Sequence, residues 1–254
     1  MCLMAWNWQP DSATPLVLLS NRDEFYARPA MPVHWWEPTI RGNEVLAGKD
    51  LQGGGTWLGV SRTGRLAALT NYRSSIPKRP DAPSRGSLVT GFLQGHMSAA
   101  AYVKRLVRNT DGYNPFNLLV FDGVTLMGLE SRDARVVEMQ PGMGGVSNAD
   151  FHTPWPKLMH LKHRLRSYLE GGAIDDAQLL LLLRENSTVP DSLLPKTGVS
   201  LALERALSGV FIATPQYGTR ASSVIKMHKT HVDFAEQRFN AKGFVAGSHQ
   251  SFPL

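Results

Sequence analysis

The chain has 254 residues, 43% of them hydrophobic and 19% charged, which is enough apolar surface for a sizeable core and too little charge for a disordered chain. Its formal net charge of +6 raises the question of an anionic partner. However, Arg22, Arg28, Arg62, Arg65 and Arg73 are scattered and do not form the dense run that nucleic acid or a lipid surface demands. The single cysteine, Cys2, excludes an internal disulfide and fits a reducing compartment.

Met1 to Trp8 is apolar apart from Asn7, and Pro15 to Leu19 is a second apolar run. The turn-rich Gln9-Pro10-Asp11-Ser12 between them predicts a hairpin of two buried strands. Asn21-Arg22-Asp23-Glu24 follows at once, so these side chains are expected to emerge at the end of the second strand, beside the start of the first, where Cys2 sits. Gly53-Gly54-Gly55 leads into a strand ending near Ser61, and Arg65 to Asn71 is expected to pair with it across Thr63-Gly64. The period then changes from two to about 3.6, with Ser84 expected to cap a helix over Arg85 to Gln94 and Ser98 one running to Asn109.

Strands are expected again at Phe116 to Phe121, Thr125 to Leu129, Arg135 to Met139 and Gly144 to Asn148. Pro154 introduces a helix over Trp155 to Leu169, closed by Gly171-Gly172, and Asp175-Asp176 opens a Leu-rich helix to Arg184. Glu185 to Thr197, with Pro190 and Pro195, is predicted to be a long loop, followed by strands at Gly209 to Ala213, Ser222 to Met227 and Val232 to Phe239. No repeat and no linker divides residues 1–254, which are taken as a single domain of the α+β class, two sheets with helices outside. No segment has the length needed to span a bilayer, and the first twenty residues lack a basic n-region, so a cytoplasmic location is expected.

Cys2 is the most informative position. Removal of Met1, expected when the next residue is small, leaves a thiol and a free α-amine on one residue, and an α-amine of pKa about 7.7–8.0 can act as a base near neutral pH. By position alone Cys2 fits a packing residue of a buried strand better than a reactive one. His160 and His163 are three apart, as are His228 and His231. Neither pair is joined by a cysteine or a third clustered ligand, so both are taken as solvated or packing histidines and no metal is expected. The glycines at 53–55 lack the Lys-Ser/Thr of a P-loop and are expected to form a rim over Cys2.

Several strings occur in an informative order: Asn21-Arg22-Asp23-Glu24, Gly54-Gly55-Thr56-Trp57-Leu58-Gly59, Leu69-Thr70-Asn71-Tyr72, Arg85-Gly86, Asn117-Leu118, Ser147-Asn148, Thr153-Pro154-Trp155 with Lys157, and Tyr217-Gly218-Thr219-Arg220. On these, covering most of the chain, it resembles the NRDE family of the transport-and-Golgi-organization type. That family is similar to the cysteine N-terminal-nucleophile hydrolases, which include penicillin V acylases and conjugated bile acid hydrolases. The resemblance implies a four-layer αββα sandwich. It also implies Cys2 as nucleophile, Arg22 and Asp23 steadying the thiolate and α-amine, Asn71 and Asn148 binding the oxyanion, and Arg220 as a second arginine flanking the site.

Two functional readings stand side by side. The first is a hydrolase of a non-peptide C–N amide, or of a thioester, of a small acyl compound, needing no cofactor. The second is a carrier that uses the same pocket without turnover for an amphipathic anion, with haem or acyl-coenzyme A as the ligands the resemblance brings with it. A retained Met1 would block the α-amine and favour carriage. A third reading, a structural or interaction protein, predicts the same residues dispersed over the surface.

Overall fold

A computed structural model of the chain describes residues 2–37, 42–172 and 174–254. Met1, on which the state of the α-amine hangs, lies outside the described residues.

Thirteen strands form two antiparallel sheets among these residues. The first six strands are β1 (Cys2–Trp8), β2 (Leu16–Phe25), β3 (Ala30–Trp35), β4 (Val45–Asp50), β5 (Leu58–Ser61) and β6 (Leu66–Asn71). Next come β7 (Phe116–Phe121), β8 (Leu126–Glu130), β9 (Arg135–Glu138) and β10 (Gly142–Val146), and the C-terminal part supplies β11 (Tyr217–Met227), β12 (His231–Asn240) and β13 (Gly243–Pro253). One sheet has the order β10-β1-β2-β11-β12-β13 and the other β3-β4-β5-β6-β7-β8-β9.

Alternate residues of the central strands face different layers, as a period of two requires. Met4, Trp6 and Trp8 of β1, Leu16 and Leu18 of β2, and Leu66 and Ala68 of β6 fill the core between the sheets. The intervening Leu3, Ala5, Val17 and Leu19 face α3 (Pro156–Glu170) and α4 (Asp176–Leu182). Ala67 and Leu69 face α1 (Gly86–Gln94) and α2 (Ala99–Leu106) on the opposite outer surface. The result is helix, sheet, sheet, helix. Because both faces of these strands are covered, they read as continuous apolar runs and not as alternating ones.

Several boundaries differ from expectation. Strand β2 continues through Asn21, Arg22 and Asp23, all buried, because β11 pairs along it as far as Phe25. Strands β3, β4 and β13 and the short helix α5 (Leu201–Ala206) were not anticipated. Gly209 to Ala213 forms no strand, only a bridge from Ala213 to Gly218. Strand β10 begins and ends two residues earlier than expected, since its pairing with β1 stops at Val146. Ser98 caps α2 through the Ala101 N–H, but Ser84 does not cap α1 with its side chain; its carbonyl instead accepts from Ser87. Glu185 to Thr197 contains one 3-10 turn at Asp191–Leu193.

One buried acid ties the two sheets together away from the strand ends discussed below. Glu236 of β12 accepts a hydrogen bond from the Val33 N–H of β3 at 3.1 Å. Burial pushes its carboxyl up from 4.5 to about 7, against the pull of the Val33 hydrogen bond. Between those values the folded state holds a proton that the unfolded chain has lost, so stability falls as pH rises through this window. The shift corresponds to a loss on the order of 3 kcal/mol across it. Denaturant unfolding of wild type and Glu236→Gln between pH 4.5 and 7 should therefore diverge, with the variant's stability the flatter; parallel curves would refute the buried-acid account.

Candidate active site

The β1–β2 register places Cys2 opposite Arg22. Asp23, next along β2, pairs with Thr219 of β11. A register shift between Thr219 and Ala221 then leaves Arg220 out of the ladder, as a bulge does when it re-aims a side chain. Cys2, Arg22 and Asp23 are all nearly inaccessible to bulk solvent, yet each lines one cavity of about 680 Å³. Trp57 and Asn71 form part of its wall, and Lys78, Arg79 and Arg85 also border it. The glycine rim expected over Cys2 is part of the lining, through Gly53 and Gly55. Gly55 packs backbone to backbone on Gly86 at the start of α1, where a Cβ would collide with the Gly86 carbonyl.

Arg22 is held from two sides. Its Nη2 donates to Asp50 Oδ2 at 2.8 Å, and its guanidinium lies 4.2 Å from the centre of the Trp57 ring. The same carboxylate oxygen accepts from Arg28 Nε at 2.6 Å, and Oδ1 accepts from the N–H groups of Gln52 and Gly53. Burial alone would raise the Asp50 pKa, but the hydrogen bonds from Arg28 and Gly53 outweigh it and keep the carboxyl below its usual range. Asp50 was not singled out from the sequence. Its only signal was position, an acid at a strand end three residues ahead of Gly53-Gly54-Gly55.

Asp23 accepts from Thr219 Oγ1 at 2.8 Å, while its main-chain carbonyl accepts from the Tyr217 hydroxyl at 2.9 Å. Burial pushes its carboxyl up, and the charge of Lys157 is the largest influence opposing this. Lys157 is itself buried on α3, donating to the Leu207 carbonyl at 3.1 Å. Burial brings its ammonium down to about 8, and Asp23 acts against that fall. Beyond it, Arg73 and Glu204 form a buried pair at 2.6 Å. Lys157 appeared in the sequence only as part of a motif; its place on the buried face of a helix, next to the start of β1, carries the functional signal. Burial also pushes the Cys2 thiol up, with Arg22 pulling against it.

Asn71 ends β6 at the cavity wall. Asn148, fully buried, uses its amide to donate to the Asn71 carbonyl at 2.9 Å and to the Cys2 carbonyl at 3.3 Å. It thereby joins the start of β1 in one sheet to the end of β6 in the other. Arg220 is not brought to the large cavity. Its Nη1 donates to the carbonyls of Phe25, Tyr26 and Arg28 at 2.9–3.0 Å, pinning the turn after β2. It borders a second cavity of about 200 Å³, which shares Arg22 and Trp57 with the first.

A profile of the family described as Transport and Golgi organisation 2 matches residues 1–241. The chain belongs to that family. It is 35% identical to the Transport and Golgi organization protein 2 homolog of Bos taurus, over 93% of this chain and 92% of the relative, and 29% identical to Transport and Golgi organization protein 2 of Drosophila melanogaster, over 84% of each. Among solved structures, the C2A mutant of conjugated bile acid hydrolase from Clostridium perfringens superposes with a TM-score of 0.59 at 9% identity, covering all of this chain and 92% of that one. The Caenorhabditis elegans ortholog of N-acylethanolamine-hydrolyzing acid amidase gives 0.51 at 13% identity, over 89% and 92%. These likenesses establish the fold of this family member as that of the N-terminal-nucleophile hydrolases.

Replacing Asn148 by Leu removes the two hydrogen bonds its amide donates and the one it accepts from Ser147 Oγ, and leaves the Cys2 and Asn71 carbonyls without that donor. The expected cost is roughly 2–6 kcal/mol, from about 1–3 kcal/mol for each of the two carbonyls left unsatisfied. Urea unfolding of the variant should show it as a lowered midpoint with unchanged slope; an unshifted midpoint would remove Asn148 as the tie between the sheets.

Proposed function

We propose that this protein is a cysteine-dependent acyl hydrolase acting on a C–N amide, or a thioester, of a small acyl compound. The observation that carries the reading is Cys2, set in register with Arg22 and beside buried Asp23 at a cavity large enough for a small-molecule acyl group. By their names, the two structural neighbours hydrolyse conjugated bile acid and N-acylethanolamine, and the same bond type is proposed here. The cations Lys78, Arg79 and Arg85 along the cavity favour an acyl compound carrying an anionic group.

In the proposed chemistry, Met1 is removed and the freed α-amine of Cys2 takes the thiol proton. The sulfur forms a bond to the substrate carbonyl carbon, moving the C=O electron pair onto oxygen. Asn71, at the cavity wall, is the side chain proposed to donate to that oxyanion, and preorganised donors of this kind lower such barriers. The electron pair returns, the C–N bond breaks, and the α-ammonium gives its proton to the departing amine. Water then attacks the thioester, with the α-amine again as base, and releases the acid and the thiol. Arg22, which stays charged, favours the thiolate during attack. Lys157 and Asp23 are buried ionisable groups beside the cysteine.

The same cationic cavity would suit carriage of an anionic amphiphile, including haem or acyl-coenzyme A, without turnover. The state of the N-terminus separates the two. Intact-mass analysis is expected to show loss of Met1, and an electrophilic acyl probe to label wild type but not Cys2→Ala. Arg22→Met should move the pH profile of thiol alkylation upward by roughly one unit or more, the range over which a neighbouring opposite charge shifts a pKa. A retained Met1, or labelling that persists in Cys2→Ala, would overturn hydrolysis.

A further inference from the structure

The hairpin joining β11 to β12 carries a second cluster, remote in sequence from Cys2, Arg22, Asp23, Asn71 and Lys157. The pairing of Met227 with Val232, and the hydrogen bond from the His228 N–H to the His231 carbonyl at 2.9 Å, close the turn around Lys229-Thr230. His228 and His231 are therefore cross-strand neighbours on one face, and Asp233, two residues on, faces the same way. Their rings stack at 4.0 Å with only 9° between planes. His228 Nε2 lies 3.2 Å and His231 Nε2 3.8 Å from the same oxygen, Asp233 Oδ2. The ligand atoms of all three fall within 4.8 Å of one another.

We propose that His228, His231 and Asp233 form a binding site for a late first-row divalent cation of the zinc type. Two imidazole nitrogens and one carboxylate are the donor set such ions take. Ligand atoms about 2.0–2.2 Å from a tetrahedral ion lie roughly 3.4 Å apart, and the two histidine-to-aspartate distances bracket that spacing. The far side of each ring is already occupied. His228 Nδ1 is 2.9 Å from Thr14 Oγ1, and His231 Nδ1 is 3.0 Å from Thr230 Oγ1. An Nδ1–H donated to those hydroxyls leaves the Nε2 lone pairs facing Asp233, the arrangement that outer hydrogen bonds impose on metal-binding histidines. In that tautomer two nitrogen lone pairs and an anionic oxygen face one another and repel unless a positive charge lies between them, whereas an Nε2–H on His228 would donate to Asp233 Oδ2 at 3.2 Å.

Lys226 supplies part of that charge, 3.2 Å from Asp233 Oδ2, but it also reaches Asp176 Oδ1 at 2.9 Å and keeps that partner if a metal takes Asp233. Burial and the adjoining His231 hold His228 below its usual pKa, in the neutral form that binds metal. The helical pair His160 and His163 gathers no such group among the described residues.

The test uses the full chain, stripped of metal with a chelator and titrated near neutral pH with Zn2+ against a chromophoric competitor. One equivalent is expected to bind. His228→Ala and His231→Ala should each weaken it at least roughly tenfold, since even loss of a hydrogen-bond partner behind a ligand costs about 10–100-fold. Cys2→Ala and the His160→Ala/His163→Ala double variant should bind as wild type does, which separates this site from the Cys2 reading. Histidine-ring NMR of the wild type gives a readout that needs no variant: Zn2+ should shift the His228 and His231 resonances and leave those of His160 and His163 in place. Wild-type affinity equal to that of the His228→Ala/His231→Ala double variant, or Zn2+ shifts absent from these two rings, would overturn the proposal, the cluster then being a proton-sharing one.

Discussion

The central strands are covered on both faces, and that constraint governs the polar centre of the molecule. In a strand with water on neither side, each polar group must find its partner within the protein or incur a desolvation cost. Cys2, Arg22 and Asp23 stand at the end of such strands, so their surroundings are dictated by satisfaction as much as by chemistry. Asp50 answers Arg22, Thr219 answers Asp23, and Asn148 answers the carbonyls of Cys2 and Asn71. The partners come from both sheets, so the β1 end is fixed only once the two sheets have docked.

Asp50 illustrates how one side chain organises a wall. Its two oxygens accept from two guanidinium groups and two main-chain N–H groups, joining the β2 end, the turn after it and the glycine loop. Arg220 pins the same turn from the other side through three carbonyls. A β-bulge frees Arg220 for that purpose and, in doing so, turns it toward the smaller cavity. The arginine that a motif suggests beside the thiol thus acts on the backbone that carries Arg28, and Arg28 in turn shares Asp50 with Arg22.

Legibility followed burial. Phe116–Phe121 was recognised at its observed limits because six consecutive buried residues, five of them apolar, leave little choice. Strand β13 was invisible: its sequence, GFVAGSHQSFP, is mostly exposed and carries two glycines, and it is a strand because β12 offers it an edge. Strand β3 contains Pro32 and pairs irregularly with β4. The Asn21–Asp23 segment looked like the end of a strand because polar residues usually mark one; tertiary pairing with β11 overrode that signal. At the site, motif order pointed to Cys2, Arg22, Asp23, Asn71 and Asn148, and all five meet at or beside one cavity. Asp50 and Lys157 escaped because their meaning lies in the three-dimensional neighbourhood. The alignment of His228, His231 and Asp233 was latent in their spacing, since H-x-x-H-x-D around a two-residue turn puts all three on one face.

The buried charges behind Cys2 bear on what this arrangement is for. Asp23, Lys157, Arg73 and Glu204 are all nearly excluded from water, and buried ion pairs of this sort commonly add no stability over apolar residues of equal volume. Their directions are informative. Burial raises Asp23 and lowers Lys157, so each tends toward neutrality, and each opposes the other's shift. On the hydrolase reading proposed above, a thiolate forming at Cys2 would be a third charge beside this pair. Developing negative charge on sulfur favours the ammonium form of Lys157 and disfavours ionised Asp23, adjusting the local field in the direction that stabilises the thiolate.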